Sequence, residues 1–377
     1  MNIKILDSWL REYLNTKAAP EKIGEILSRT SISAEKIEPF GKNDFVYDFE
    51  VTTNRPDLMS VINIAREAAT VLNQEGIKAE FKPLQNSDLT EISNKAPNLI
   101  EVKNDPMLAY RILGVVMEVN LHESSEEVKN KLIASDHSNF NNIIDITNYI
   151  MHETGHPSHV FDFDRLNTKT MKIRLSEKGE EIITLDGKKY NLVGGDIVAV
   201  DENKRIVDLL GVMGLQNSVV TNDTKRIFFF IDNLDPDRVR KTSMSTGIRT
   251  DAAILNEKGL DPELSKAAFL RGIELYKKWA DGKIISQIID IYPNPVKHKK
   301  IKVKIQQIND KVGIEIPVKN SISILENLGF GVEQKNEFLE VTVPTIRNKD
   351  IEIAEDLIEE VARIYGYHNI PSVLPTN

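Results

Sequence analysis

An α+β fold is what this sequence predicts, on three observations. Its helical and strand patterns are grouped rather than strictly alternating, the strands are short and separated by turn signals, and a β-rich middle is flanked by helix-bearing ends. At 377 residues, with 41% apolar and 28% charged, the chain suits two or three packed domains and not a disordered one. It has no cysteine, which excludes disulfide scaffolds, thiolate metal sites and thiol nucleophiles. A net charge of −9 excludes a general nucleic-acid adhesive, so any RNA contact must come from a local patch. No run approaches the roughly 18 apolar residues of a membrane span, and the N-terminus lacks a signal-peptide core. A cytoplasmic protein with no membrane contact is expected.

Leu6, Trp9, Leu10, Tyr13 and Leu14 fall at helical spacing, as do Ile23, Ile26 and Leu27 behind Pro20. Residues 45–51 (FVYDFEV) alternate like a half-buried strand, which Asn54-Arg55-Pro56-Asp57 stops. Val61, Ala65, Ala68 and Leu72 make the face of a helix ending before Gly76. Residues 82–98 are polar, with two prolines and no period, and read as a linker.

Strands follow at 111–119, 171–175, 181–185, 189–192, 196–200 and 227–231, with Asp186-Gly187 as a hairpin turn. Helices interrupt them at 126–134 and 142–153, and Asp261-Pro262 starts another that runs to Trp279. The last segment holds five lysines within 297–304, a helix at 321–328, a hairpin through Asn336 and a final helix over 350–365. The expected division is an N-terminal module at 1–85, a β-rich domain at 99–285 and a C-terminal module at 289–377.

Three features could carry chemistry. His152-Glu153-Thr154-Gly155-His156 fits the H-E-x-x-H pattern, which on one helical face would hold zinc. Gly155 and Pro157 should end the helix first, so a zinc hydrolase is the disfavoured alternative. The acidic run Asp350, Glu352, Glu355, Asp356, Glu359 and Glu360 carries six carboxylates in eleven residues without a cation. Such oxygen groups suit Mg²⁺, although an acidic solvated face near a helix start is the plainer reading. The lysine run reads as one solvated edge of a strand.

Several strings together are specific. Glu50–Asp57 (EVTTNRPD) with Ala65-Arg66-Glu67, Asn142–Tyr149 (NIIDITNY), Gly155–Asp162 (GHPSHVFD), Leu185-Asp186-Gly187, Gly211–Gly214 (GVMG), Thr250-Asp251-Ala252 and Glu355–Tyr367 occur in this order. The chain resembles, along nearly its whole length, the bacterial phenylalanyl-tRNA synthetase β subunit. The resemblance implies an editing-type middle domain and a small winged-helix-like C-terminal module. It also implies a place in an α₂β₂ class II phenylalanine–tRNA ligase, whose α subunit holds ATP and phenylalanine. tRNA(Phe) is then the expected nucleic-acid partner, and the chain alone should not aminoacylate. The family's magnesium positions correspond to Asp350, Asp356, Glu359 and Glu360, a site expected to be shared with the α subunit.

Three departures qualify the likeness. The inserted oligonucleotide-binding barrel is missing, since Ile37–Phe40 runs almost directly into the strand at Phe45. The family's catalytic-like and anticodon-binding domains lie past Asn377, so a fragment or a reduced subunit is expected. The editing pocket corresponds to Thr147, Asn148, His159, Thr250 and Ala252, but its hydroxyl-recognising glutamate falls on Phe230. A benzyl group cannot bond a phenolic hydroxyl, so the site for mischarged tyrosyl-tRNA is expected to be degenerate, with Asn217 or Asp232 as substitutes if it is not. The bland alternative has Thr147 and Asn148 capping a helix end and His159 packing in a loop. A stand-alone tRNA-editing factor is the other competing reading.

Overall fold

The computed structural model describes residues 1–84 and 96–371. The linker expected at 82–98 lies mostly outside the described residues. The chain folds as two compact units, one joining Met1–Leu84 to Lys297–Asn377 and one spanning Gln85–Val296. The segments read from sequence as separate N- and C-terminal modules therefore pack together. The class is α+β.

In the first unit, strands Asn2–Leu6 and Ser33–Phe40 flank the central strand Asp44–Glu50, all antiparallel. Alternation of Ile3 and Ile5 makes Asn2–Leu6 a strand, and the helix begins only at Asp7. The helix Val61–Gln74, capped by Ser60 on the Asn63 amide, packs on both Val318–Asn327 and Ala354–Tyr365. Three strands, Lys300–Lys304, Phe338–Thr342 and Gly331–Lys335, complete the unit. Lys300, Lys302 and Lys304 are exposed while Ile301 and Val303 turn inward, so the lysine run is a solvated strand face. The last helix starts at Ala354 rather than at Asp350, because Asp356 accepts the Glu352 and Ile353 amides and caps the helix there.

The second unit is built on two five-stranded sheets. One orders Met213–Gly214, Ile206–Leu209, Ile197–Val200, Thr170–Leu175 and Glu101–Lys103. In the other, Ala109–Glu118 and Arg226–Leu234 run side by side, with His159–Asp162 beyond and Lys283–Ile284 and Ile289–Ile291 on the far edge. Phe228 and Phe230 join Phe161, Met171, Ile173, Val198 and Leu209 in one core cluster. Phe229, pointing the other way, stacks on Phe269 of the helix Pro262–Trp279 at 5.3 Å. The unbroken apolar run at 227–231 thus reflects a strand covered on both faces.

Candidate functional site

The strand His159–Asp162 brings His159 directly opposite Phe230. This stretch was expected as a loop; pairing with Arg226–Leu234 makes it a strand. The imidazole packs edge-on against Phe161, with centroids 4.3 Å apart, and its Nε2 lies 3.9 Å from Oδ1 of Asp208. Burial lowers the His159 pKa to about 4, so at neutral pH the ring is uncharged and the contact is not an ion pair.

A turn over Gly211–Gly214 closes one side. A methyl group on Gly214 would sit 2.7 Å from His159 Cε1, so only glycine allows this approach. Gly211 takes φ +72, which favours glycine as well. Thr250 ties the turn to the helix Asp251–Asn256: its hydroxyl donates to the Val212 carbonyl at 2.6 Å and accepts from the Ala253 amide at 3.1 Å. Asn256 holds the Gly211 carbonyl from the same helix at 3.1 Å. The fold therefore brings together His159, position 230 and Thr250, with Ala252 next to it in the first turn.

Thr147 and Asn148 stand in the middle of the helix Asn142–Thr154, whose cap is Asn141, so they do not cap a helix end. The Thr147 hydroxyl donates to the Ile144 carbonyl at 2.7 Å within its own helix. Neither residue has a polar contact to His159 or Thr250 among the described residues.

Phe230 is fully buried, 5.6 Å from the Phe228 ring and 5.9 Å from that of Phe161. The polar groups here are two carboxyls that sequence reasoning weighed little or not at all. Asp232 lies two residues beyond Phe230 on the same strand face, and burial pushes its pKa up to about 7. Asp208 is 4% exposed; burial, then the nearby Asp232, raises its pKa well above the carboxylate range, and its Oδ1 has no hydrogen-bond partner among the described residues. Its sequence signal is an acid in an apolar strand, IVDL. Asn217, the other substitute considered, donates to the Ile206 carbonyl at 2.8 Å and lines an open groove with Arg165, Lys204 and Gln216.

The H-E-x-x-H string does not form a zinc helix. The helix ends at Thr154, Gly155 takes the left-handed conformation, and His156 leaves the helical face. His156 Nδ1 donates to the Pro157 carbonyl at 2.8 Å, and Nε2 accepts from Ser265 at 2.8 Å. Glu153 is locked to Arg271 by two bonds of 2.8 and 2.9 Å.

The acidic helix is similarly engaged. Asp350 pairs with Arg347 at 2.7 Å, and Glu360 lies between Arg347 at 3.0 Å and Arg363 at 2.6 Å. Asp356 accepts the backbone amides of Glu352 and Ile353 at 2.7 and 2.9 Å. Glu359 alone of the four is exposed without an ion pair among the described residues. As they lie, these residues do not fit a magnesium ion, and no group of three or more His, Asp or Glu among the described residues is arranged to hold a metal.

Two stretches of the chain match known domain families. Residues 109–281 match the B3/4 domain and residues 301–367 the tRNA synthetase B5 domain. The chain is 35% identical over 347 residues to the phenylalanine–tRNA ligase beta subunit of Clostridium tetani, covering 92% of this chain and 43% of that protein. It is 31% identical over 361 residues to that of Thermotoga maritima, covering 96% and 44%. Its fold is shared, at a TM-score of 0.56 and 15% identity, with an N-terminal fragment of the phenylalanyl-tRNA synthetase beta subunit from Pyrococcus horikoshii. That likeness covers 97% of this chain and 99% of the fragment. The chain is a B3/4- and B5-domain protein of the tRNA-synthetase type. It is a relative of the phenylalanine–tRNA ligase β subunits, and it spans less than half the length of the curated relatives it matches. No helix among the described residues is long and apolar enough to cross a membrane.

Proposed function

We propose that the chain acts as the β subunit, or the N-terminal part of one, in a phenylalanine–tRNA ligase. It would support ATP-dependent attachment of phenylalanine to tRNA(Phe) by a class II α subunit in an α₂β₂ cytoplasmic enzyme. The observation that carries this is the succession of B3/4 and B5 domains in one chain whose relatives are β subunits. Incubated alone with ATP, phenylalanine and tRNA, the chain should form no phenylalanyl-tRNA; co-expressed with the α subunit, it should co-purify with it. Charging by the chain alone, or failure to co-purify, overturns the proposal.

The B3/4 domain would hold an aminoacyl ester between His159, Thr250 and the Gly211–Gly214 turn. With a buried benzyl ring at position 230, we infer slow deacylation that does not favour tyrosyl- over phenylalanyl-tRNA. Rapid, selective clearance of tyrosyl-tRNA would refute this and turn attention to Asp232. The same absence of an acceptor at position 230 argues against a stand-alone editing factor. Magnesium at Asp350, Asp356, Glu359 and Glu360 would require Asp350 or Glu360 to leave an arginine, so any site there depends on the α subunit.

A further inference from the structure

Asp208 stands in the apolar strand Ile206–Leu209, where antiparallel pairing sets it opposite Gly214. Because Gly214 has no side chain, the His159 ring closes on this pair, and its Nε2 comes within 3.9 Å of Asp208 Oδ1. That separation is too long for a direct hydrogen bond, yet it suits a bridge. One oxygen atom about 2.8 Å from each end fits between them. Oδ1 is buried and has no hydrogen-bond partner among the described residues, so it can accept a bond from that oxygen. The uncharged His159 ring, with its proton on Nε2, can donate one.

Burying an unpaired carboxyl costs stability, and what this one gains is basicity. Burial and then the charge of Asp232 make Asp208 hold its proton well above the usual carboxylate range, against a bond from the Leu209 amide. Once ionised, such a carboxylate is a stronger base than an exposed one. His159, lowered to about 4 by burial, is the weaker base, so a proton from a bridging water passes to Asp208 rather than to the imidazole. His159 and Asp232 are the titratable groups that act on Asp208. The strand Ile197–Val200 and the turn Gly211–Gly214 bring none, and Asp251 faces His137 instead.

We propose that Asp208 is the general base of ester hydrolysis in this domain, acting on a water held between its Oδ1 and His159 Nε2. The inference rests on the deacylation reading above. The water gives one proton to Oδ1 while its oxygen bonds the ester carbonyl carbon. The bond from that carbon to the ribose oxygen then breaks, and the leaving oxygen takes the proton back from Asp208. A free amino acid and the ribose hydroxyl result, with Asp208 and His159 restored.

The test is hydrolysis of phenylalanyl-tRNA by the full chain from pH 5 to 9, corrected for the enzyme-free rate. The wild-type rate should rise with pH as Asp208 ionises and then level. Asp208→Asn, close in shape to the protonated acid, should lower the plateau about a hundredfold or down to the enzyme-free rate. Asp232→Asn removes the neighbouring charge and should move the midpoint of the rise toward acid, a shift that a merely structural role would not produce. Where the first variant fails to fold, the second still carries the test. No hydrolysis by wild type removes the deacylation reading and this proposal with it. Hydrolysis that survives in a folded Asp208→Asn, or an unmoved midpoint in Asp232→Asn, overturns the proposal alone.

Discussion

Both units of this protein bury charged groups against opposite charge, as Glu153 does on Arg271 in the second, but the second also holds two buried carboxyls without such a match. In the first, Arg363 bonds both Glu67 and Glu360, Arg347 bonds Glu360 and Asp350, and Arg55 reaches Asp57 and Glu67. Burial pushes Glu67 up, but Arg363 and Arg55 outweigh it and hold its pKa at about 2. In the second, Asp208 and Asp232 have no paired cation among the described residues, and their pKa values rise instead. Burial that is matched by opposite charge keeps groups ionised and builds structure; burial left unmatched neutralises them. Only the second kind leaves polar atoms available to something that is not yet there, which is why it marks the candidate pocket.

The comparison breaks most visibly at Arg363. Replacing it by leucine leaves Glu67 and Glu360 buried with less compensation, and should cost about 3–5 kcal/mol in urea unfolding. If the midpoint hardly moves, the network is not holding this unit together.

Asp232 should respond with the opposite pH dependence. Its folded pKa of about 7 lies above the ordinary 3.8, so the folded state binds the extra proton. Its contribution is therefore present below pH 3.8 and is lost as pH rises toward 7. Asp232→Asn should leave stability near pH 4 unchanged and raise it above pH 7, by about 2–4 kcal/mol. Glu67 runs the other way: its contribution is present above pH 4.5 and is lost as pH falls toward 2. Urea midpoints of Asp232→Asn and wild type from pH 4 to 8 check the sign; a constant difference would mean that Asp232 is ionised in the fold.

A smaller effect is expected at Gly214. Alanine there would push against His159, whose side chain is 28% exposed and can yield. The stability cost should be about 1 kcal/mol, while whatever deacylation the domain shows should fall with the displaced imidazole. Unchanged deacylation in the Gly214→Ala variant would remove His159 from the pocket.

What could be read in advance follows the same division. The helices at 61–74, 142–154 and 262–279 announced themselves because their caps and apolar spacing are local. The strand at 159–162 did not, because it exists only through pairing with Arg226–Leu234. The end of the helix before His156 followed from Gly155 and Pro157. Glu360 and Arg363 are one turn apart on a single helix, but nothing local showed that Glu360 would also meet Arg347, or that Asp208 would stand beside His159. Those are consequences of packing between distant segments, so a cluster of carboxylates read as a metal set lies largely engaged with arginines and backbone amides.

Glu359 offers the finest test of that last point. Asp350 and Glu360 cannot be altered without releasing an arginine, and Asp356 caps the helix start, so their substitution confounds stability with any role in binding a cation. Glu359 is exposed and has no ion pair among the described residues, and Glu359→Gln should change stability by less than about 0.5 kcal/mol. Any change it brings to the magnesium dependence of charging, measured after co-expression with the α subunit, then reports on the cation alone. A shift toward higher magnesium requirement would favour a site completed by the partner. A superimposable magnesium titration for variant and wild type would exclude Glu359 from that site and leave the acidic helix a structural element, like the arginine network it joins.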